Sequence, residues 1–303
     1  MLQQSSEPRI SVVIPHLNQS LFLKRCLGSL KAGSRQPNEI IVVDNGSSEM
    51  PTAVCSEFSN VTLLHEKIPG PGPARNLGIA HAQSDVLAFI DADCLADPKW
   101  LEVAARDALS DKFEILGGDV RIAYVDPHNL TPLEAYESIY AYRMDRYIAR
   151  EGFTGTGNLV VKREILGHVG PFAGIGVAED RDWGQRATGL GYKIRYVPDM
   201  KVYHPARRSF SELKIKWDRH MSHDFEQISG GKDWLKWITK TLAMGVSPLF
   251  ELPRLLLSDR LSGASNRLRA FKALTRIRLY RAKRMLQLTV GLDPNALVKD
   301  WNK

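Results

Sequence analysis

The chain has 303 residues, 44% of them hydrophobic and 25% charged, with a formal net charge of +7. That balance belongs to a globular chain with a sizeable core and excludes a disordered one. The three cysteines, Cys26, Cys55 and Cys94, show neither C-x-x-C spacing nor nearby paired histidines, which argues against a disulfide framework or zinc site and fits a reducing compartment.

Met1 to Arg9 is polar and runs directly into an apolar stretch, without the charged and apolar regions of a leader, so the protein is expected not to be secreted. Short β-rich runs then alternate with helical patterns: Ile10 to Ile14, Leu21 to Ala32, Glu39 to Val43, Thr52 to Phe58, Val61 to His65, Asn76 to Ala82, Val86 to Ile90 and Pro98 to Leu109. This alternation predicts a parallel α/β sheet. Its strands are apolar without alternation, as helices covering both faces require. Ligands of such sheets bind beyond the carboxyl ends of the strands. Those ends here are polar: Pro15-His16-Leu17-Asn18, Asp44-Asn45-Gly46-Ser47-Ser48 and Asp91-Ala92-Asp93.

Asp91 and Asp93 put two carboxylates one residue apart where a buried strand surfaces. Such oxygens suit a hard divalent cation, Mn2+ or Mg2+, whose remaining positions are filled by water and substrate phosphates. Asp97-Pro98 just beyond reads as the cap of the next helix.

Residues 131 to 150 are predicted as one helix, with Thr131 as N-cap, Pro132 first inside and Glu134 completing a capping box. Tyr136, Tyr140 and Tyr147 fall near one face, an aromatic stripe best read as packing. Gly152-Phe153-Thr154-Gly155-Thr156-Gly157-Asn158 forms a glycine-rich loop that lets backbone approach a ligand. Val177 to Leu190 is a helix opened by Glu179, Asp180 and Asp182 and stopped by Gly191. Lys193 to Val197 and Lys201 to Tyr203 read as strands, and His204-Pro205 ends the compact body.

Residues 201 to 303 carry 21 Lys and Arg against 9 Asp and Glu, or +12, leaving 20 against 25, or −5, before them. An acidic body with a basic extension points to an enzyme docked on something anionic. Trp237 to Leu257 is the most apolar stretch, but Lys240, Pro248, Glu251, Pro253 and Arg254 break it too often for a transmembrane helix, which leaves a re-entrant or interfacial placement open. From Arg267 to Arg284 eight basic residues and no acid interleave with Leu268, Phe271, Leu274, Ile277 and Leu279, followed by Met285 and Leu286. That is a basic amphipathic helix of the kind that lies on anionic membranes.

Taken in order, these segments resemble an inverting family 2 glycosyltransferase of the GT-A fold, from about Ile10 to Pro205. Ile10 to Pro15 is similar to that family's opening strand, although His16-Leu17-Asn18 replaces the commoner Tyr-Asn ending. Ile41 to Ser48 resembles its second strand, Gly72-Pro73-Ala74-Arg75-Asn76-Leu77-Gly78 the segment ahead of the metal motif, and Asp91-Ala92-Asp93 that motif. Thr156 to Arg163 with Val169 to Phe172 resembles the acceptor-side loop and helix, Glu179-Asp180 the E-D motif, and Tyr203-His204 a terminal segment where some members supply a metal-binding histidine.

The resemblance implies a Rossmann-like, mostly parallel sheet flanked by helices over residues 1–205. Its nucleotide-binding half spans about 1–105 and its acceptor half about 106–205, with a helical basic extension over 206–303. It implies transfer of a sugar from a nucleotide-diphosphate sugar, UDP being the commonest donor nucleotide, to an acceptor hydroxyl, with Asp180 as general base beside Glu179. Asp93, Asp91 and His204 would hold Mn2+ or Mg2+. Pro15, Asn18, Asp44, Gly46, Ser47, Arg75, Asn76, Asp91 and Ala92 would line the nucleotide, and Gly155, Thr156, Gly157, Asn158, Asp182 and Trp183 the acceptor and sugar. The charge pattern adds a lipid-linked or cell-envelope glycan acceptor and a peripheral place on the cytoplasmic membrane face. A catalytically inactive relative serving as scaffold is the alternative, and a nucleic-acid binder using the basic tail a remoter one. No nucleic acid is expected, because the bases line an apolar helix with few aromatics.

Overall fold

The protein is described here from a computed structural model covering residues 7–110 and 114–294, without the side chains of Arg219 and His223; Met1 to Ser6, most of the polar start, lie outside it. In chain order the elements are β1 Ile10–His16, α1 Ser20–Lys31, β2 Glu39–Asp44, α2 Thr52–Cys55, β3 Val61–His65, α3 Pro71–His81, β4 Val86–Ile90, β5 Leu95–Ala96, α4 Trp100–Ala108 and β6 Ile115–Ala123. They continue with α5 Pro132–Tyr140, α6 Met144–Glu151, β7 Asn158–Lys162, α7 Arg163–Val169, α8 Glu179–Gly189, β8 Ile194–Pro205, α9 Phe210–Glu226, α10 Gly231–Phe250, α11 Leu252–Leu257 and α12 Ala264–Thr289.

The eight strands form one sheet in the order β3-β2-β1-β4-β7-β6-β8-β5. The β1–β2, β1–β4, β2–β3 and β6–β8 pairs are parallel, while β7 runs antiparallel to β4 and β6. Alternate residues feed two cores. Val12, Ile14, Val42, Ala88 and Ile90 pack with α1 and α4, whereas Val13, Ile41, Val43, Leu87 and Phe89 pack with α3, α7 and α8. Burial on both faces is why these strands are apolar throughout.

The chain forms two compact units, one of residues up to 123 with 142–205, the other of 124–141 with 206 onwards. The segment 124–141, read above as part of the acceptor half, belongs to the second unit. There Leu130, Leu133, Ala135, Tyr136 and Ile139 are buried together with Leu213, Leu255, Ala270, Leu274 and Ile277.

The expected single helix over 131–150 is therefore two, α5 and α6. Thr131 and Glu134 form the capping box, but the chain turns through Ala141 and Tyr142, whose φ is 48°. Asp97 is not the cap of α4, which opens at Trp100 after Lys99; the Asp97 side chain accepts from the Lys99 N–H in the turn ahead. β6 was not expected, and the two strands read over 193–203 are one, with a bulge where Val197 pairs with Gly118 and Lys201 with Asp119. Of the apolar positions expected on α12's membrane face, Leu274, Ile277 and Met285 are core residues, while Leu268, Leu279 and Leu286 are exposed. That helix is first a core element of the second unit. No described helix is long and apolar enough to cross a membrane.

Candidate active site

β4 delivers its carboxyl end to the middle of the sheet, and the chain turns there, the Cys94 N–H bonding to the Asp91 carbonyl at 3.0 Å. Because β7 runs antiparallel, its first residue, Asn158, pairs with Ile90. The glycine-rich loop is thus brought over Asp91. A Cβ on Gly157 would lie 2.6 Å from Asp91 Oδ2, so only glycine fits.

Around this point the first unit gathers residues from α3, β4, α8 and β8. Arg75, buried, donates to Asp91 Oδ1 at 2.7 Å and to Glu179 Oε1 at 2.9 Å. Asp180 follows Glu179 in the first turn of α8, where the helix dipole favours acids. Its Oδ1 accepts from the Arg181 N–H at 2.7 Å, and its Oδ2 lies 3.9 Å from where a Cβ on Gly155 would stand. Burial, and then the charge of Glu179, raise the Asp180 carboxyl to about 6.

Asp93 faces His204, with Oδ2 3.5 Å from Nε2. His204 Nδ1 lies 2.7 Å from the Pro205 carbonyl, which can only accept, so Nδ1 carries the hydrogen of that bond and Nε2 is the nitrogen turned toward Asp93. Tyr142 lies over the imidazole, ring centroids 4.5 Å apart, with its hydroxyl 3.1 and 3.2 Å from the two nitrogens. Burial raises the Asp93 carboxyl, with Asp91 adding to the rise and His204 opposing it.

Asp93, Cys94 and His204 each offer a ligand atom within 4.8 Å of the others. A carboxylate, an imidazole nitrogen and the second carboxylate of Asp91 nearby suit a divalent cation of the Mn2+ type. Among the described residues Asp91 and Glu179 pair with Arg75 and Asp93 with His204, and Asp180 adds a fourth carboxylate, so the balance also favours an added cation. The residues fit the metal that the sequence implies.

A second cluster sits at the ends of β1 and β2. Asn18 Oδ1 accepts from the Ser48 N–H, and the Asn18 N–H donates to Ser47 Oγ. Asp44 is completely buried; its carboxylate accepts from His16 at 2.9 Å, from Ser47 Oγ at 2.5 Å and from the Gly46 and Ser47 N–H groups. Although burial opposes it, those bonds hold its carboxyl below the ordinary range. In this state Asp44 fastens the loop instead of offering an acceptor to a nucleobase. Pro15, two residues before Leu17, lies at the same strand end.

Other expected residues hold the scaffold. Asn76 bonds both ways with the backbone of Phe172, tying α3 to the loop after α7. Asn158 is buried, accepting from Trp100 Nε1 and donating to the Asp119 and Met200 carbonyls, and Trp183 packs on Phe172 while bonding to the Gly170 carbonyl. Neither side chain is free to meet an acceptor. Ala92 and Thr156 are buried too, and Asp182 pairs with Arg186 at 2.9 Å. His16 and Tyr142 were missed: His16 was noted only as a departure from the family pattern, and Tyr142 lay inside a predicted helix.

The sequence profile of glycosyl transferase family 2 matches residues 11–175, more than half of the chain and inclusive of β1, β2, Arg75 and Asp91 to Asp93. The chain belongs to that family. This family 2 glycosyltransferase is 31% identical over 220 residues to glycosyltransferase AglE of Haloferax volcanii, covering 70% of this chain and 71% of the relative. Among solved structures it is similar to a mannosyltransferase of Pyrobaculum calidifontis in complex with GDP-Man and Mn2+ (TM-score 0.55, 17% identity, 97% of this chain and 79% of that one). It is also similar to residues 1–349 of S. aureus TarS in complex with UDP-GlcNAc (TM-score 0.54, 17% identity, 96% and 78%). At those identities the likeness shows the fold, GT-A, which the mixed sheet and its flanking helices share.

Proposed function

We propose that this glycosyltransferase is metal-dependent and inverting, moving a sugar from a nucleotide-diphosphate sugar to an acceptor hydroxyl. The observation that carries the reading is the convergence of Asp91, Asp93 and His204 with Asp180 around one strand end. Asp93 and His204 would hold Mn2+ or Mg2+ with Asp91 beside them, and the bound ion supplies neutralising charge to the departing diphosphate.

Asp180 takes the acceptor's hydroxyl proton as that oxygen attacks the anomeric carbon. The bond from that carbon to the diphosphate oxygen breaks on the opposite face, so one displacement inverts the centre. An Asp180 poised at about 6 is ionised at neutral pH yet basic enough to accept a proton. Arg75 holds Asp91 and Glu179 in register between donor and acceptor sides.

UDP is the favoured donor nucleotide, by the family resemblance; the two solved neighbours carry GDP-Man and UDP-GlcNAc, which share the ribose and diphosphate but differ in base and sugar. A lipid-linked or cell-envelope glycan is the favoured acceptor, reached from an anionic membrane surface, which the +12 balance of residues 201–303 would meet. Calorimetric titration of UDP, GDP, CDP and dTDP, with and without Mn2+, tests the core of this reading. One nucleotide is expected to bind only with metal and to lose that binding in Asp93→Ala. Metal-independent binding, unchanged in Asp93→Ala, would refute it.

A further inference from the structure

The membrane reading above assigned docking to the basic helix, which is α12, yet half of that helix's apolar positions are core. Among the described residues, α10 and α11 carry a run of exposed large apolar side chains. In α10, Trp237, Thr241, Met244 and Pro248 face inward at helical spacing. The opposite side shows Leu235 64% exposed, Ile238 41%, Leu242 70%, Val246 54%, Leu249 63% and Phe250 80%. These positions follow i, i+3, i+7, i+11, i+14 and i+15, one continuous stripe along the helix. α11 extends it with Leu256 and Leu257, 61% and 84% exposed.

We propose that this α10–α11 face is the membrane-docking surface, lying in the plane of an anionic bilayer with its apolar side chains among the acyl chains. The inference rests on the membrane reading of the proposed function and names the surface it uses. Four observations select lipid as the occupant. No described helix is apolar enough to cross a membrane, which leaves a surface placement for so apolar a helix. Lys232, Lys236 and Lys240, all exposed, form an i, i+4, i+8 row along one border of the stripe, where lipid phosphates would meet them. Lys236 and Lys240 pair with the exposed carboxylates of Asp233 at 3.2 Å and Asp224 at 2.8 Å, pairs weak enough to open beside a phosphate. Trp234, 37% exposed, stands at the first turn, the amphipathic residue expected at a lipid–water boundary. The surrounding residues 201–303 are net basic by +12, which attracts an anionic leaflet before the apolar contact forms.

The test is co-sedimentation of the full chain with vesicles of phosphatidylcholine alone and of phosphatidylcholine with phosphatidylglycerol, alongside Leu249→Ser/Phe250→Ser and the milder Leu242→Ser. Mass in solution and Mn2+-dependent nucleotide binding are measured on the same samples. The expected result is binding to the anionic vesicles, weakened at least tenfold in the double variant and several-fold in Leu242→Ser, with nucleotide binding unchanged. If the wild type binds neither vesicle, the membrane reading itself fails. If it binds and both variants bind equally well, the reading survives and this surface is wrong. A wild-type dimer that the double variant dissociates would assign the stripe to a second copy and overturn the proposal. Loss of nucleotide binding in the wild type bears on the catalytic reading alone.

Discussion

Arg75 and Glu179 stand 104 positions apart in the chain and meet at 2.9 Å, while the other end of the same guanidinium holds Asp91 at 2.7 Å. Arg75 is 3% exposed, so it is a buried cation whose two terminal nitrogens pair with carboxylates from separate elements, while its Nε is buried without a partner among the described residues. Arg75→Met should leave both acids facing Asp93 and Asp180 uncompensated. Removing one partner of a buried pair costs about 3–5 kcal/mol; Asp91 is 36% exposed, which places the expected loss nearer about 2 kcal/mol. Urea denaturation at pH 7 measures it, and a variant as stable as the wild type would show the bridge to be incidental.

Asp180→Asn should lower kcat by about 10²–10⁴, the usual contribution of a positioned base, with nucleotide affinity retained. In the wild type, kcat/KM should rise with pH through about 6 and then level, since only the ionised carboxylate accepts the proton. The same group shapes stability in the opposite sense. Its folded pKa lies above the ordinary 3.8, so the fold binds the proton more tightly than the unfolded chain. Stability is then lost as pH rises from about 4 to about 6, and Asp180→Asn should be the more stable protein above that window. Parallel pH profiles of rate and of melting temperature check both signs; a rate profile flat from pH 5 to 8 would remove Asp180 from the base's role.

Gly157→Ala adds one methyl whose carbon would fall 2.6 Å from Asp91 Oδ2. Either the loop or the carboxylate moves. Because Asp91 is also held by Arg75, the expected outcome is a displaced loop, with metal-dependent nucleotide affinity down about tenfold or more and modest destabilisation of about 1–2 kcal/mol, as for other overpacked sites. Calorimetry of the variant with Mn2+ reads the affinity; wild-type binding would mean the loop has room that this structure does not show.

The sheet and the acidic core of the site were legible because each rests on local chemistry. Val86 to Ile90 is apolar at every position, and Asp91 follows at once, so strand, strand end and carboxylate could be read together. β6 was not legible because Gly117 and Gly118 interrupt it. The reason is tertiary: a Cβ at Gly117 would strike Thr154 at 2.6 Å, and one at Gly118 would strike Asn158 at 2.2 Å. Asn158 and Trp183 lie within motif segments, but their bonds to buried carbonyls could not be read there, since sequence cannot tell a polar group facing a ligand from one facing the protein's own backbone. Asp44 was legible as the carboxylate at the end of a buried strand; that His16 and Ser47 occupy its oxygens depends on two loops meeting.

Tyr142 is the residue whose role most needs measurement, because the break between α5 and α6 is what puts it over His204. A non-glycine residue at φ 48° is held against its own backbone preference, so surrounding contacts must fix it there. Its ring lies tilted over the imidazole, whose Nδ1 is already committed to the Pro205 carbonyl, so the pair aims Nε2 at Asp93. Groups that orient a metal-binding histidine typically contribute about 10–100-fold in metal affinity. Tyr142→Ala should therefore weaken Mn2+ binding by about tenfold in the presence of nucleotide, His204→Ala by as much or more, and the double variant by no more than His204→Ala alone. Mn2+ titration by electron paramagnetic resonance separates the cases. Additive losses in the double variant would place Tyr142 on a contact of its own, and unchanged affinity in His204→Ala would leave the cation to the carboxylates.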